Sequence, residues 1–297
     1  MLIGLVAVCI LLLAGVVVAN MFGGERGPVA DNWSPPPPDM NPSELPSPET
    51  YTEATEWLEK NPFYQQSITI PTNCTEMQPL NAQNTTLAEA DAHLLKLTSC
   101  LLRVWQAPVR AAGYQMPRPP ATAYNGTGTN ACGKLVRANA QYCGADQRIY
   151  YSLELPMIMP PELRNQKFLI EVVLGHEFAH AIQARTGILI SGIAWEQRAT
   201  TKAAANVFAR RLELQADCLS GMWTRAVADS QGLNANDLAA LGRVAYNIGD
   251  DVLTGKPNID EGHGLGATRQ RWFELGADGN PSISKCNAYT VPDDQVR

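Results

Sequence analysis

His176-Glu177-Phe178-Ala179-His180 holds the side chains best suited to chemistry in this sequence. On a helix, four-residue spacing puts both imidazoles on one face, one turn apart. Two ring nitrogens can then reach a single zinc at about 2.0–2.1 Å. Glu177 is turned away around the helix, so it addresses a metal-bound water as general base and leaves the metal to the histidines. Phe168, Leu169, Ile170, Val172, Val173 and Leu174 precede the motif, which predicts a buried helix ending near Gly187. Gly175 and Ala179 leave room for a second helix beside the ligands.

A catalytic zinc takes three protein ligands and keeps one position open. The short metzincin continuation needs Gly at 183 and His at 186; Gln183 and Thr186 exclude it. Arg211-Leu-Glu213-Leu-Gln-Ala-Asp217-Cys218 offers two carboxylates on one helix face. One can bind zinc while the other accepts the second N–H of a ligand histidine and fixes its tautomer. Glu171 and Glu196 are the rival ligands, the first off the His176 face, the second in an expected loop. His93, alone in its helix, is read as a packed or surface residue. His263, between Gly262 and Gly264, falls in a loop that can approach a ligand closely. It is the candidate donor to the oxyanion of a tetrahedral intermediate. Tyr150 and Tyr151 are next in line.

These parts recur in one known group. Cys143 with Asp146, Ile149-Tyr-Tyr151, Gly175-His-Glu-Phe-Ala-His-Ala-Ile-Gln183, Glu213-Leu-Gln-Ala-Asp-Cys218, Ile248-Gly-Asp-Asp251, His263-Gly264 and Arg271-Trp-Phe273 follow in order. The sequence resembles the putative neutral zinc metallopeptidase family of bacteria over about residues 75–290. The resemblance implies a gluzincin-like site with Glu213 as third ligand and Asp217 behind it. The family has Thr-His-Gly-Thr-Ser where this chain has Gly262-His263-Gly264-Leu265-Gly266.

The surrounding elements must position these groups. Leu87, Ala90, Leu94, Leu97, Leu101 and Val104 recur at helical spacing and predict a helix to about Gln106, before Pro108. Further helices are expected over 51–61, 200–227, 237–248 and 268–275. Strands are expected over 62–72 and 148–155, the second offering its edge to an extended peptide. Residues 113–147 read as irregular. The fold class is α+β: a mainly helical, zincin-like domain with a small sheet.

Residues 2–19 carry no charge and are just long enough to span a bilayer. Residues 1–22 are therefore read as a transmembrane anchor, or as a signal segment cleaved after Ala19. Residues 23–50, with Pro35 to Pro38 consecutive, read as an extended spacer, and 51–297 as the zinc domain. Cys74, Cys100, Cys132, Cys143, Cys218 and Cys286 form an even set behind an export signal, which favours disulfides. Local spacing suggests Cys132–Cys143; Cys74–Cys100 and Cys218–Cys286 would complete the set. Buried free thiols are the alternative.

Among the 297 residues 18% are charged, with net charge -6, so a nucleic-acid partner is not expected. The expected function is zinc-dependent peptide-bond hydrolysis outside the cytosol, with one Zn2+ per chain, a peptide or protein substrate, and membrane contact through the N-terminal segment. The expected location is the cell membrane with the catalytic domain outside, or secretion if the N-terminus is cleaved. The alternative is a non-enzymatic exported zinc-binding module. A structural site takes four protein ligands, and this sequence offers three.

Overall fold

The computed structural model describes residues 33–82 and 84–297. The apolar segment 2–19 and the first part of the spacer lie outside them. Among the described residues no helix is long and apolar enough to cross a membrane. Residues 35–297 form one compact unit, so the domain begins before residue 51. Residues 36–43 do not stand clear of it. The Asp39 amide donates to Arg118 O at 2.9 Å, Arg118 donates to Pro36 O at 3.0 Å, and Arg185 donates to Ser43 Oγ at 3.0 Å. Polyproline backbone makes no internal hydrogen bonds, and here its free groups find partners on the domain.

Helix α1 (Tyr51–Glu59) starts at Thr50, whose side chain accepts from the Glu53 amide. The strand expected over 62–72 is absent. Asn61 caps a 3-10 turn at Pro62–Gln65, and only Ser67 makes an isolated bridge, to Ser282. Phe63 and Tyr64 are consecutive and both buried; a strand would turn one of them outward. Helix α2 (Leu87–Ala111) opens on a Thr86–Glu89 capping box and runs one turn past its expected end, through Pro108. Proline removes a single amide donor, and the Ala112 amide still bonds Pro108 O at 3.0 Å.

The region read as irregular holds short strands. β1 (Ala121–Tyr124), β4 (Ala140–Cys143) and β5 (Arg148–Ser152) form a sheet in the order β1-β5-β4, parallel then antiparallel. β2 (Gly128–Asn130) and β3 (Gly133–Leu135) form a separate hairpin. Strands of three or four residues are too short to display a period of two. β5 stops at Ser152 and is paired on both edges, so it cannot accept a further strand. The outer edges belong to β4 and to β1, where the Ala123 amide donates to Asp91 Oδ1 at 2.8 Å.

Helix α3 (Leu169–Arg185) carries the histidine motif and is buried around nearly its whole circumference. Residues apolar on all sides mark such a central helix. It packs between the sheet and helix α5 (Lys202–Gln231). Gly187 breaks the chain in the left-handed region, φ 75°, before helix α4 (Ile188–Arg198). Glu196 therefore sits on a helix and not in a loop. Helices α6 (Ala235–Asn247), α7 (Asp250–Thr254) and α8 (Gly266–Gly276) complete the domain, α8 against α5. Cys132–Cys143 is bonded as local spacing suggested, and Cys74–Cys100 and Cys218–Cys286, the two pairings left open, complete the set.

Candidate metal centre

α3 and α5 cross so closely that a Cβ on Gly175 would lie 2.8 Å from Ser220 Oγ. That approach brings Glu213 of α5 up to the histidine face of α3. His176 Nε2 and His180 Nε2 are 3.1 Å apart, and they lie 3.2 and 3.5 Å from the two Glu213 carboxylate oxygens. Ligands bound to one zinc at about 2.0–2.1 Å in tetrahedral geometry lie roughly 3.3 Å from each other. The donor triangle therefore has the size zinc requires. Among the described residues this is the group of three whose donor atoms fall within 4.8 Å.

Each imidazole is fixed from behind. His176 Nδ1 lies 2.8 Å from Asp217 Oδ1, and His180 Nδ1 lies 2.7 Å from Gln183 Oε1. An acceptor at Nδ1 puts the proton there and leaves Nε2 free for a metal. Gln183 is held in turn, donating to Leu212 O at 2.9 Å and Gln215 Oε1 at 3.0 Å, and Gln215 donates to Tyr64 Oη at 2.9 Å. Arg269 of α8 donates to both Asp217 oxygens at 2.9 Å, and its guanidinium lies 3.7 Å from Glu213.

Three carboxylates, Glu177, Glu213 and Asp217, stand in this centre with one guanidinium, Arg269, which contacts Asp217 and Glu213, so without a cation the centre is short of positive charge. Burial disfavours a proton on His176, but Asp217 and then Glu213 outweigh it and raise its pKa to about 10. Burial likewise pushes Glu213 up, yet His180 and His176 hold it well below the usual carboxylate range. A cluster that draws in a proton this firmly has the charge to draw in a metal cation.

Glu177 stands beside the triangle without joining it. Its Oε2 accepts the Tyr142 amide of β4 at 2.6 Å. An antiparallel strand turns alternate residues toward its partner, so Ala140 presents amide and carbonyl to the outer edge of β4, and Tyr142 its carbonyl, its amide being taken by Glu177. Asn139 to Tyr142 form one wall of a cavity of 430 Å³ whose floor is His176, Glu177, His180 and Glu213. The centre is thus open on one side.

His263 lines the same cavity with its side chain 65% exposed. Its Nδ1 lies 3.2 Å from Asp250 Oδ1, while Asp250 Oδ2 accepts the His263 and Gly264 amides at 2.9 and 3.0 Å. Tyr150 and Tyr151 do not reach this space. The Tyr150 hydroxyl donates to Asp146 at 2.7 Å, and Tyr151 is fully buried. Glu171 is not near the centre either; it is buried against His93 Nε2 at 2.7 Å.

Sequence reasoning missed Arg269, Gln183 and Asp250. Arg269 shares the positions 269, 272, 273 and 276 with Trp272, Phe273 and Gly276, the buried face of α8. An arginine on an apolar face was the available signal. Gln183 follows His180 by three residues, within reach on the same face.

A model of putative neutral zinc metallopeptidases matches residues 64–289. The chain is 30% identical over 226 residues to the uncharacterized protein YpfJ of Escherichia coli, covering 71% of this chain and 78% of that one. It is 29% identical over 195 residues to the uncharacterized protein Rv2575 of Mycobacterium tuberculosis, covering 59% and 64%. No solved structure gives a significant match. With a family match over most of its length, on a domain that carries the His-His-Glu cluster, the chain belongs to the putative neutral zinc metallopeptidase family.

Proposed function

We propose that this chain hydrolyses peptide bonds with one zinc held by His176 Nε2, His180 Nε2 and the Glu213 carboxylate. The observation that carries the reading is the convergence of these donors within 4.8 Å at the floor of an open cavity, with Glu177 alongside. Zinc in such a site lowers the pKa of a water to about 7 and polarises a carbonyl oxygen. Asp217 and Gln183 hold the two rings with Nε2 outward. Glu177 takes the proton of the attacking water on a carboxylate oxygen and delivers one to the leaving amine. The Tyr142 amide aims that carboxylate. His263, oriented by Asp250, donates from Nε2 to the developing oxyanion. The β4 edge aligns an extended substrate by backbone hydrogen bonds at the amide and carbonyl of Ala140 and the carbonyl of Tyr142.

The three disulfides favour a location outside the cytosol, with the N-terminal apolar segment as membrane anchor or export signal. The test is metal analysis beside a peptide-cleavage assay. Glu177→Gln should keep one zinc per chain and lose about 10²–10⁴-fold in rate, whereas Glu213→Ala should lose the zinc. Zinc lost from Glu177→Gln but kept by Glu213→Ala would overturn the assignment.

A further inference from the structure

The cavity over the centre has a second wall of a different kind. Leu155, Ile158, Val173, Leu189, Ile248 and Leu253 line it, drawn from the segment after β5, from α3 and α4, and from the α6–α7 region. Val173 lies three residues before His176, on the same face of α3. Ile158 is 38% exposed and Leu253 51% exposed. Large apolar side chains left in water around a concave site mark it for an apolar ligand.

The charged groups of this cavity are already engaged. Among its described lining residues these are Glu177, Glu213 and Arg269, besides the histidines. Arg269 is buried, spends its guanidinium on Asp217 at 2.9 Å and contacts Ile248 O at 3.4 Å, so it offers no cation to a peptide's terminal carboxylate. Glu177 accepts the Tyr142 amide and keeps its remaining acceptor capacity for the attacking water of the proposed reaction, and Glu213 faces both histidines, so neither is left for a terminal ammonium. The cavity recognises neither chain end, and it holds no spare charge for an acidic or basic side chain.

Resting on the hydrolytic reading above, we infer that the enzyme is an endopeptidase that cuts extended internal segments beside a large apolar side chain, seated on Leu155, Ile158, Val173, Leu189, Ile248 and Leu253. The β4 edge reads only backbone, so it sets direction without selecting sequence. The apolar wall supplies the selection.

The test uses the full chain and a peptide library blocked at both ends by acetyl and amide groups, with cut sites read by mass spectrometry. Binding of the same peptides to Glu177→Gln protein is followed by fluorescence anisotropy. Blocked peptides should be cut, with Leu, Ile, Phe or Met beside the cut favoured over Asp or Lys by about 10- to 100-fold in kcat/KM, and binding should follow the same order. Ile158→Asn with Leu253→Asn, both at exposed positions, should keep zinc and lose most of that preference. Cleavage that needs a free terminus, or that shows no apolar preference, overturns this inference and leaves the hydrolytic reading standing. If no peptide is cut in a Glu177-dependent way, both fall.

Discussion

His176 has its two nitrogens committed in different directions, Nε2 to the donor triangle and Nδ1 to Asp217 at 2.8 Å. In the metal-free protein its pKa is raised from 6.5 to about 10. A raised pKa stabilises the metal-free fold below pH 6.5, and that contribution is lost as pH rises through about 10. Between those limits zinc must expel the Nε2 proton. Zinc binding near pH 8 should therefore release close to one proton, and the apparent affinity should rise roughly tenfold per pH unit in that range. Calorimetry in buffers of different ionisation enthalpy measures the release directly; Asp217→Asn should reduce it and weaken zinc about 10- to 100-fold. A release unaffected by Asp217→Asn contradicts this account. His263→Ala should bind zinc normally and lower kcat with little change in KM, because its contact belongs to the transition state. Unchanged kcat/KM would pass the donor role to Asn139 or Gln141 on the cavity wall. His176 with His180, and Glu213 with Asp217, were legible as pairs because helical period puts each pair on one face; the choice of Glu213 over Asp217 as third ligand came from the family resemblance. Arg269 was not legible, because its partner lies 52 residues away on another helix and nothing local announces the meeting.

α5 brings Glu213 and Asp217, and α8 brings Arg269, so the spacing of these two helices sets the geometry behind the centre. Glycines define that spacing. A Cβ on Gly221 would lie 2.1 Å from Phe273 O, and one on Gly276 would lie 2.0 Å from Cys218 O. Both obstacles are backbone atoms and cannot swing aside. Gly276→Ala should cost about 2 kcal/mol or more through overpacking and lower Tm by roughly 4–8 °C, with zinc affinity falling as Arg269 is pushed from Asp217. Gly144→Ala is the control: its Cβ would make ordinary contact with Leu45 at 3.9 Å, and thermal unfolding should shift by less than about 0.5 kcal/mol. Equal Tm values for the two variants would mean that the α5–α8 contact yields easily. The long helices were readable from apolar spacing and caps. β5 was readable as well, ending three residues early; β1 to β4 were not, since they are three or four residues each and their pairing is decided by tertiary neighbours. The consequence was an open edge assigned to β5, which is paired on both sides.

Across the molecule, the proline-rich arm ties the entry of the domain to the far end of the motif helix. Composition alone predicts a spacer, because it reports the absence of internal hydrogen bonds and says nothing of external ones. Ser43 accepts from Arg185, the last residue of α3, and its carbonyl accepts from Gln147 at 2.9 Å. Pro36 O accepts from the buried Arg118, whose Nε donates to Thr98 Oγ1 at 3.0 Å. Removing the arm would leave two largely buried guanidinium groups short of an acceptor each, and a stranded buried donor costs about 1–3 kcal/mol. Water reaching the newly opened surface offsets part of that. A protein beginning at residue 51 should therefore unfold several degrees below one beginning at residue 35, on the scale of roughly 2–4 °C per kcal/mol for a domain of this size. Zinc content should be equal in the two, since no residue of the arm lines the cavity over the centre. The same shortening should speed proteolysis near Gln147 and Arg185, where the lost bonds open the structure locally. Matching Tm values and matching proteolysis would show that the arm rests on the domain without supporting it.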